Sequence, residues 1–283
     1  MIVHAKIALL SIASCALWSS VYFIWQGQVE DIWLICSLIG AIIISHVWLA
    51  ANVVKQRMFS VTWRSYLLTS VFLLGVSIIN FTSSIYLSFG LYLCILSMFH
   101  MGEYLTTALF NPSTISLSSF ILNHSVEFNI AMILSFVEHG TLLYFFPGIK
   151  TTVWVIWTGF VLCISGDVFR KIAMYTAGTN FTHLVQYQKN DSHELVMNGL
   201  YSLVRHPAYS GWFCWSISTQ LLLINPICLV GYTIATWKFF QERIYFEEIT
   251  LLNFFGQQYL DYKKTVPSGI PFVSGYNINQ RLN

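Results

Sequence analysis

The chain has 283 residues, of which 56% are hydrophobic, 17% aromatic and only 9% charged, with a formal net charge of +2 and a mean hydropathy of +0.64. Soluble domains carry about 25% charged residues, so this composition excludes a disordered chain, a nucleic-acid binder and an ordinary soluble enzyme. It describes an integral membrane protein whose Trp and Tyr content suits interfacial belts. The six cysteines stand singly at Cys15, Cys36, Cys94, Cys163, Cys214 and Cys228, a spacing that argues for packing rather than a disulfide framework or a structural zinc.

A helix needs about 20 apolar residues to cross a bilayer core. Ile7–Trp25 is uncharged and is followed by no small-residue cleavage site, so it reads as a retained first span. Ile32–Val54, between Asp31 and Lys55, is the second. The uncharged stretch Ser65–Gly102 is too long for one crossing and breaks at Asn80–Ser84, whose polar side chains compete for helix hydrogen bonds. This predicts spans over 65–81 and 86–108, followed by a loop over Asn111–Ser119. A fifth span over 128–146 stops at Pro147-Gly148, and a sixth covers 152–175.

Gly178–Gly199, with Gln186, Gln188, Lys189, Asp191, His193 and Glu194, is too polar and irregular to lie in lipid. Pro207–Trp237 is uncharged but split by Asn225-Pro226, which predicts a seventh span over 208–224 and an eighth from 226, joined as a tight hairpin. The expected fold is all-α, with eight transmembrane helices and a polar cytosolic segment. Eight crossings place 13 of the 14 basic residues on one side, with Lys150 alone opposite. The positive-inside rule then puts both termini and residues 178–205 in the cytosol. Polar residues concentrate after Gly166, so 1–165 reads as scaffold and 166–283 as the catalytic membrane region.

Ionisable residues at membrane depth usually face protein or water. Glu103 and Glu138 read as interhelical hydrogen-bond partners. Asp167 and Arg170 lie three apart on one helix face: they form a strut, or Arg170 reaches a ligand at the cytosolic rim. Arg243 and Glu247 share a face where the eighth helix leaves the membrane. Arg before Glu is the weaker order for a helical ion pair, so a solvated helix end competes with a ligand grip. The arginine fork can hold a carboxylate bidentately, which at this boundary would select an acidic head on an apolar tail.

Pro207 suits the first turn of a helix, whose unpaired N–H groups attract a carboxylate. His206 beside it is a base, a cap or a ligand, but no residues at ligand spacing support a metal. The chain has no G-x-G, no Walker lysine loop, no His-Glu-x-x-His and no G-x-S-x-G. A nucleotide-like cofactor would need another fold.

Five stretches carry a family signature: Leu122-Asn123-His124-Ser125, Ala177-Gly178-Thr179-Asn180-Phe181, Arg205-His206-Pro207-Ala208-Tyr209-Ser210-Gly211-Trp212, Asn225-Pro226-Ile227-Cys228 and Tyr259-Leu260-Asp261-Tyr262-Lys263-Lys264. With them the chain resembles the isoprenylcysteine carboxyl methyltransferase family, strongly from about Phe99 onwards and more weakly before it. The resemblance implies an eight-helix endoplasmic-reticulum enzyme using S-adenosyl-L-methionine. It would esterify the α-carboxylate of a C-terminal S-farnesyl or S-geranylgeranyl cysteine left by C-a-a-X processing. The implied partners are prenylated CaaX proteins, such as Ras- and Rho-like small GTPases and lamins, together with membrane lipid.

By position the implied cofactor contacts are Gln186, His193, Glu194, Leu195, Val196, Tyr201, His206, Pro207, Ala208 and Tyr209. The implied substrate contacts are Arg243 and Glu247, with Arg170 the third catalytic candidate. Ala208 stands where some relatives carry Ser, and Glu194 where some carry Thr. An NADPH-dependent sterol reductase would want more basic residues than Lys189 in 178–204. A phospholipid N-methyltransferase would need an amine site, and a transporter would show internal repeats and midplane charges on several helices.

Overall fold

The computed structural model describes residues 4–6, 8, 9, 11, 12, 56–122, 126–189 and 193–277. The second expected span, the first beyond Ile12, and Cys15, Cys36, Asn123, His124, Ser125 and Asp191 lie outside the described residues. Every regular element among the described residues is helical. Among the described residues, four helices are long and apolar enough to cross a membrane: Phe59–Phe81, Ser84–Phe110, Val126–Phe145 and Val153–Asn180. Packing divides the chain into two compact units, Met1–Leu122 and Asn123–Asn283. The 165/166 division drawn from polarity thus marks a change of composition inside the second unit.

In the first unit, α1 (Gln56–Phe81) and α2 (Leu87–Phe110) are joined by the short turn expected at Asn80–Ser84. Helix α1 begins well ahead of Ser65, because Arg64 donates to the Ser60 carbonyl at 3.0 Å and its charge does not end the helix. At the turn, Asn80 and Thr82 donate back to the Val76 and Ile78 carbonyls at 2.8 and 2.6 Å, the side-chain competition for helix carbonyls expected there. Tyr104 stacks on Phe120 with ring centres 4.0 Å apart, and Val61, Leu68 and Met101 complete that core. Glu103 is fully buried on α2.

The second unit contains α3 (Val126–Phe145), α4 (Val153–Ala177), α5 (Pro207–Leu223), α6 (Pro226–Phe255) and α7 (Gln257–Thr265). Helices α4 and α5 run antiparallel with backbones in contact: Gly159 faces Leu222, Gly166 faces Trp215 and Gly211 faces Arg170. A Cβ on Gly166 would fall 2.7 Å from the Trp215 nitrogen. In lipid, where tails are as apolar as leucine, close approach through small residues is a main source of helix association.

Only Ile224 and Asn225 separate α5 from α6. Opposite charges lock this turn. Buried Lys150 donates to the Leu223 and Ile224 carbonyls at 2.7 and 3.0 Å and to Asn225 Oδ1 at 3.2 Å. Glu138 accepts the Ile227 and Cys228 backbone N–H groups at 2.8 and 2.6 Å. Each charge complements the helix dipole at its end and satisfies orphaned backbone groups. Lys150, the lone exception to the charge pattern, therefore serves as a helix cap, and Glu138 bonds between helices as expected.

Helix α6 has 30 residues, about 45 Å at 1.5 Å each, longer than a bilayer core. Its outer half carries Arg243, Glu247 and Glu248 past the uncharged run. There Phe240 and Ile244 pack on Tyr209, Trp212 and Phe213 of α5 and on Ile270 and Val273 after α7.

Candidate active site

Gly178, at φ +53, ends α4 in a conformation that side-chain-bearing residues rarely adopt. The chain then turns over the outer end of α6 through irregular backbone and two short 3-10 turns, Gly178–Asn180 and Gly199–Ser202. Asn180 Oδ1 accepts the Glu194 N–H at 2.9 Å. Lys189 donates to the Phe254 carbonyl at 2.8 Å and lies 4.9 Å from the centre of the Phe255 ring. These ties enclose a cleft that is partly open to solvent.

Nine of the ten expected cofactor contacts line this cleft: Gln186, His193, Glu194, Leu195, Val196, Tyr201, His206, Ala208 and Tyr209. Pro207 does not; it occupies the buried first turn of α5. Glu247 lines the cleft, and Arg243 reaches it through Tyr209. Arg170 lies beneath the floor, 1% exposed. It donates to the Ala208 carbonyl at 3.0 Å, with its guanidinium carbon 4.8 Å from the Trp212 ring centre and 5.8 Å from that of Phe181. Asp167 pairs with Lys171 at 3.0 Å. Asp167 thus meets Lys171 on its own helix, and Arg170 braces α4 against the first turn of α5.

Arg243 and Glu247 meet through a third group. The Tyr209 hydroxyl donates to Glu247 Oε2 at 2.5 Å and accepts from Arg243 Nε at 2.9 Å. Arg243 Nη2 donates to the His183 carbonyl, and the guanidinium lies over the Tyr209 and Phe239 rings. Among the described residues Nη1 has no hydrogen-bond partner, so that end of the fork is open to an acceptor. His206 stacks on Tyr209, 5.6 Å between ring centres and 6° from parallel.

Below the cleft, Arg205 donates through Nε and Nη2 to Glu248 Oε1 at 3.0 and 2.7 Å. His206 Nε2 lies 3.4 Å from the same oxygen. Lys263 and the Tyr276 N–H donate to Glu248 Oε2, the latter at 2.8 Å. Burial alone would raise the Glu248 pKa. The hydrogen bonds from His206 and Lys263 and the Arg205 charge outweigh it and hold the carboxyl at about 2. Burial also pushes the Tyr262 phenol up to about 12, keeping it a donor to the Tyr201 carbonyl at 2.5 Å.

Sequence reasoning counted Arg205 as a topogenic charge and as part of a signature stretch, but not as a site residue. It also missed Asn180, Phe254, Phe255, Tyr259 and Tyr262, all of which line the cleft. Tyr259 and Tyr262 stand three apart, a helical face that signals burial but does not say against what.

A profile of the isoprenylcysteine carboxyl methyltransferase family matches residues 157–253. The chain is 45% identical over 249 residues to protein-S-isoprenylcysteine O-methyltransferase of Xenopus laevis, covering 88% of this chain and 83% of that one. It is 46% identical over 221 residues to the Homo sapiens protein of the same name, covering 78% of each. A solved structure described as the eukaryotic intramembrane Ras methyltransferase, isoprenylcysteine carboxyl methyltransferase, without a monobody, superposes with a TM-score of 0.92. That match has 39% identity and covers 97% of this chain and 99% of the other.

Proposed function

The chain belongs to the isoprenylcysteine carboxyl methyltransferase family, and we propose that it esterifies the α-carboxylate of a C-terminal S-prenylated cysteine with a methyl group from S-adenosyl-L-methionine. The lining of the cleft fits that donor. Glu194 and Glu247 supply negative charge, and Phe181, Tyr201, Phe254, Phe255 and Tyr259 supply aromatic faces suited to a sulfonium cation and a flat base. Gln186, His193–Val196, Tyr201, His206, Ala208 and Tyr209 would hold it. Bound there, it supplies an electrophilic methyl group.

The observation that carries the reading is the Arg243–Tyr209–Glu247 relay at the edge of this cleft. An α-carboxyl has an ordinary pKa of about 3.3–3.7 and is already ionised near neutrality, so no general base is required. Arg243 would receive the carboxylate on its open end, while Glu247, acting through the Tyr209 hydroxyl, orients the guanidinium. Arg170 would shape the floor by holding Ala208. The enclosed segment over the cleft would strip water from the nucleophile and align it for attack. The prenyl tail would stay in lipid, since each buried methylene is worth about 0.8 kcal/mol.

The same reading places the protein in the endoplasmic-reticulum membrane with eight spans and with both termini and the cleft in the cytosol. Its partners are prenylated CaaX proteins, Ras- and Rho-like GTPases and lamins among them. The test is transfer of tritiated methyl from S-adenosyl-L-methionine to N-acetyl-S-farnesyl-cysteine in membranes containing the protein. We expect a base-labile methyl ester on the farnesylated compound and none on N-acetyl-cysteine. Absence of the ester from purified, cofactor-binding protein overturns the reading.

A further inference from the structure

After α7 the chain returns as an irregular strap. From Val266 to Gln280 it carries no charge, although Lys263 and Lys264 directly precede it. The strap does not run out into solvent. Ile270 and Val273, 3% and 6% exposed, pack on Phe240 and Ile244, and the Pro271 carbonyl accepts from Trp237 Nε1 at 2.7 Å. Gly269, at φ +99, lies so close to Ser210 and Val204 that a Cβ would overlap them.

These contacts set the depth of the strap. Trp237 precedes Arg243 by six residues, about 9 Å along α6 toward the Pro226 end, and it closes the uncharged run Pro207–Trp237. Helical side chains lean toward the N-terminus, which lowers the Trp237 ring further. The neighbouring exposed Lys238 can extend its stem back to the interface. The strap tip therefore lies deeper than the Arg243–Glu247 pair.

Irregular backbone is tolerated at that depth only when its polar groups are satisfied within the protein. Much of the strap is bonded in this way. The Pro267 and Ser268 carbonyls accept the Arg205 and His206 N–H groups at 2.8 and 3.0 Å. The Ile270 carbonyl accepts the Val273 N–H at 3.2 Å, and the Val273 carbonyl accepts the Ser268 hydroxyl at 2.5 Å. Pro267 and Pro271 have no N–H to satisfy. Between buried Ile270 and Val273, Phe272 is held at φ +62 and is 97% exposed. A bulky residue at positive φ is strained, and here the strain accompanies an aromatic ring turned away from the protein.

We infer that residues 267–273 form a re-entrant strap dipping into the leaflet on the cleft side of the membrane, with Phe272 its lipid anchor. The test places a nitroxide on Phe272→Cys, in a chain whose native cysteines are replaced, reconstituted in phosphatidylcholine nanodiscs. A single cooperative melting transition at the wild-type midpoint reports the fold. The label should collide more with oxygen than with a water-soluble nickel chelate, like one at lipid-facing Ile234→Cys and unlike one at exposed Asp261→Cys. A label at Pro271→Cys reads the same gradient if Phe272→Cys does not fold. Accessibility matching Asp261→Cys, or shielding from both reagents by a second copy of the chain, overturns the inference. No methyl transfer is measured, so the result is independent of the proposed reaction.

Discussion

Arg205 and Glu248, 43 positions apart, form a two-donor ion pair closed to solvent: Nε and Nη2 meet one carboxylate oxygen at 3.0 and 2.7 Å, and the two side chains are 4% and 0% exposed. Breaking such a pair leaves a buried charge uncompensated, at a cost of about 3–5 kcal/mol. Glu248→Gln should lower the melting temperature of the purified protein and weaken its hold on S-adenosylhomocysteine, because His206 shares the pair.

The same carboxylate predicts a pH dependence. Its pKa lies at about 2 instead of 4.5, so its contribution, roughly 3 kcal/mol, is complete above pH 4.5. It is lost as pH falls through 2. Melting temperatures recorded across that window should fall more steeply for the wild-type protein than for Glu248→Gln. Parallel curves would contradict the assignment.

Tyr209→Phe removes the hydroxyl between Arg243 and Glu247 while keeping the ring stacked on His206. A hydrogen bond to a charged group contributes about 1.5–3 kcal/mol, so kcat should fall about 10- to 100-fold. S-adenosylhomocysteine affinity, measured by titration calorimetry, should change less than threefold (about 0.6 kcal/mol).

Arg243→Lys keeps the charge and loses the planar fork. Methyl transfer should drop by about two orders of magnitude with cofactor binding preserved. A lysine variant with wild-type turnover would remove Arg243 from the carboxylate site.

Gly166→Ala places a methyl group against the Trp215 backbone, where neither helix can yield without moving the other. Overpacking of this kind costs about 1–3 kcal/mol, and the loss should appear as a lower melting temperature in detergent. Gly148→Ala, with nothing within 4 Å of its new Cβ, is the control and should leave it unchanged.

Among the described residues, helix positions were legible in the sequence wherever a one-dimensional property decides them. Apolar runs give helices, Asn80–Ser84 and Asn225-Pro226 give turns, and Gly178–Gly199 stands out because its polarity cannot persist in lipid. The ten residues expected to contact a cofactor came from the family resemblance, and nine of them line one cleft. Pro207, implied by the same resemblance, sits in the buried first turn of α5, and a linear position does not report whether a side chain faces a cavity or a helix end.

Composition by itself determined that this chain is a membrane protein, and local patterning determined where its helices begin and break, since both follow from solvation and backbone hydrogen bonding within a few residues. Only the tertiary structure decided partnership. It inserted Tyr209 between Arg243 and Glu247, sent Arg170 under the floor to Ala208, turned Lys150 into a helix cap, and folded the strap back onto Trp237. A charge at a given position can be neutralised by a neighbour four residues away or seventy, and the choice is made by the packing that brings the two together.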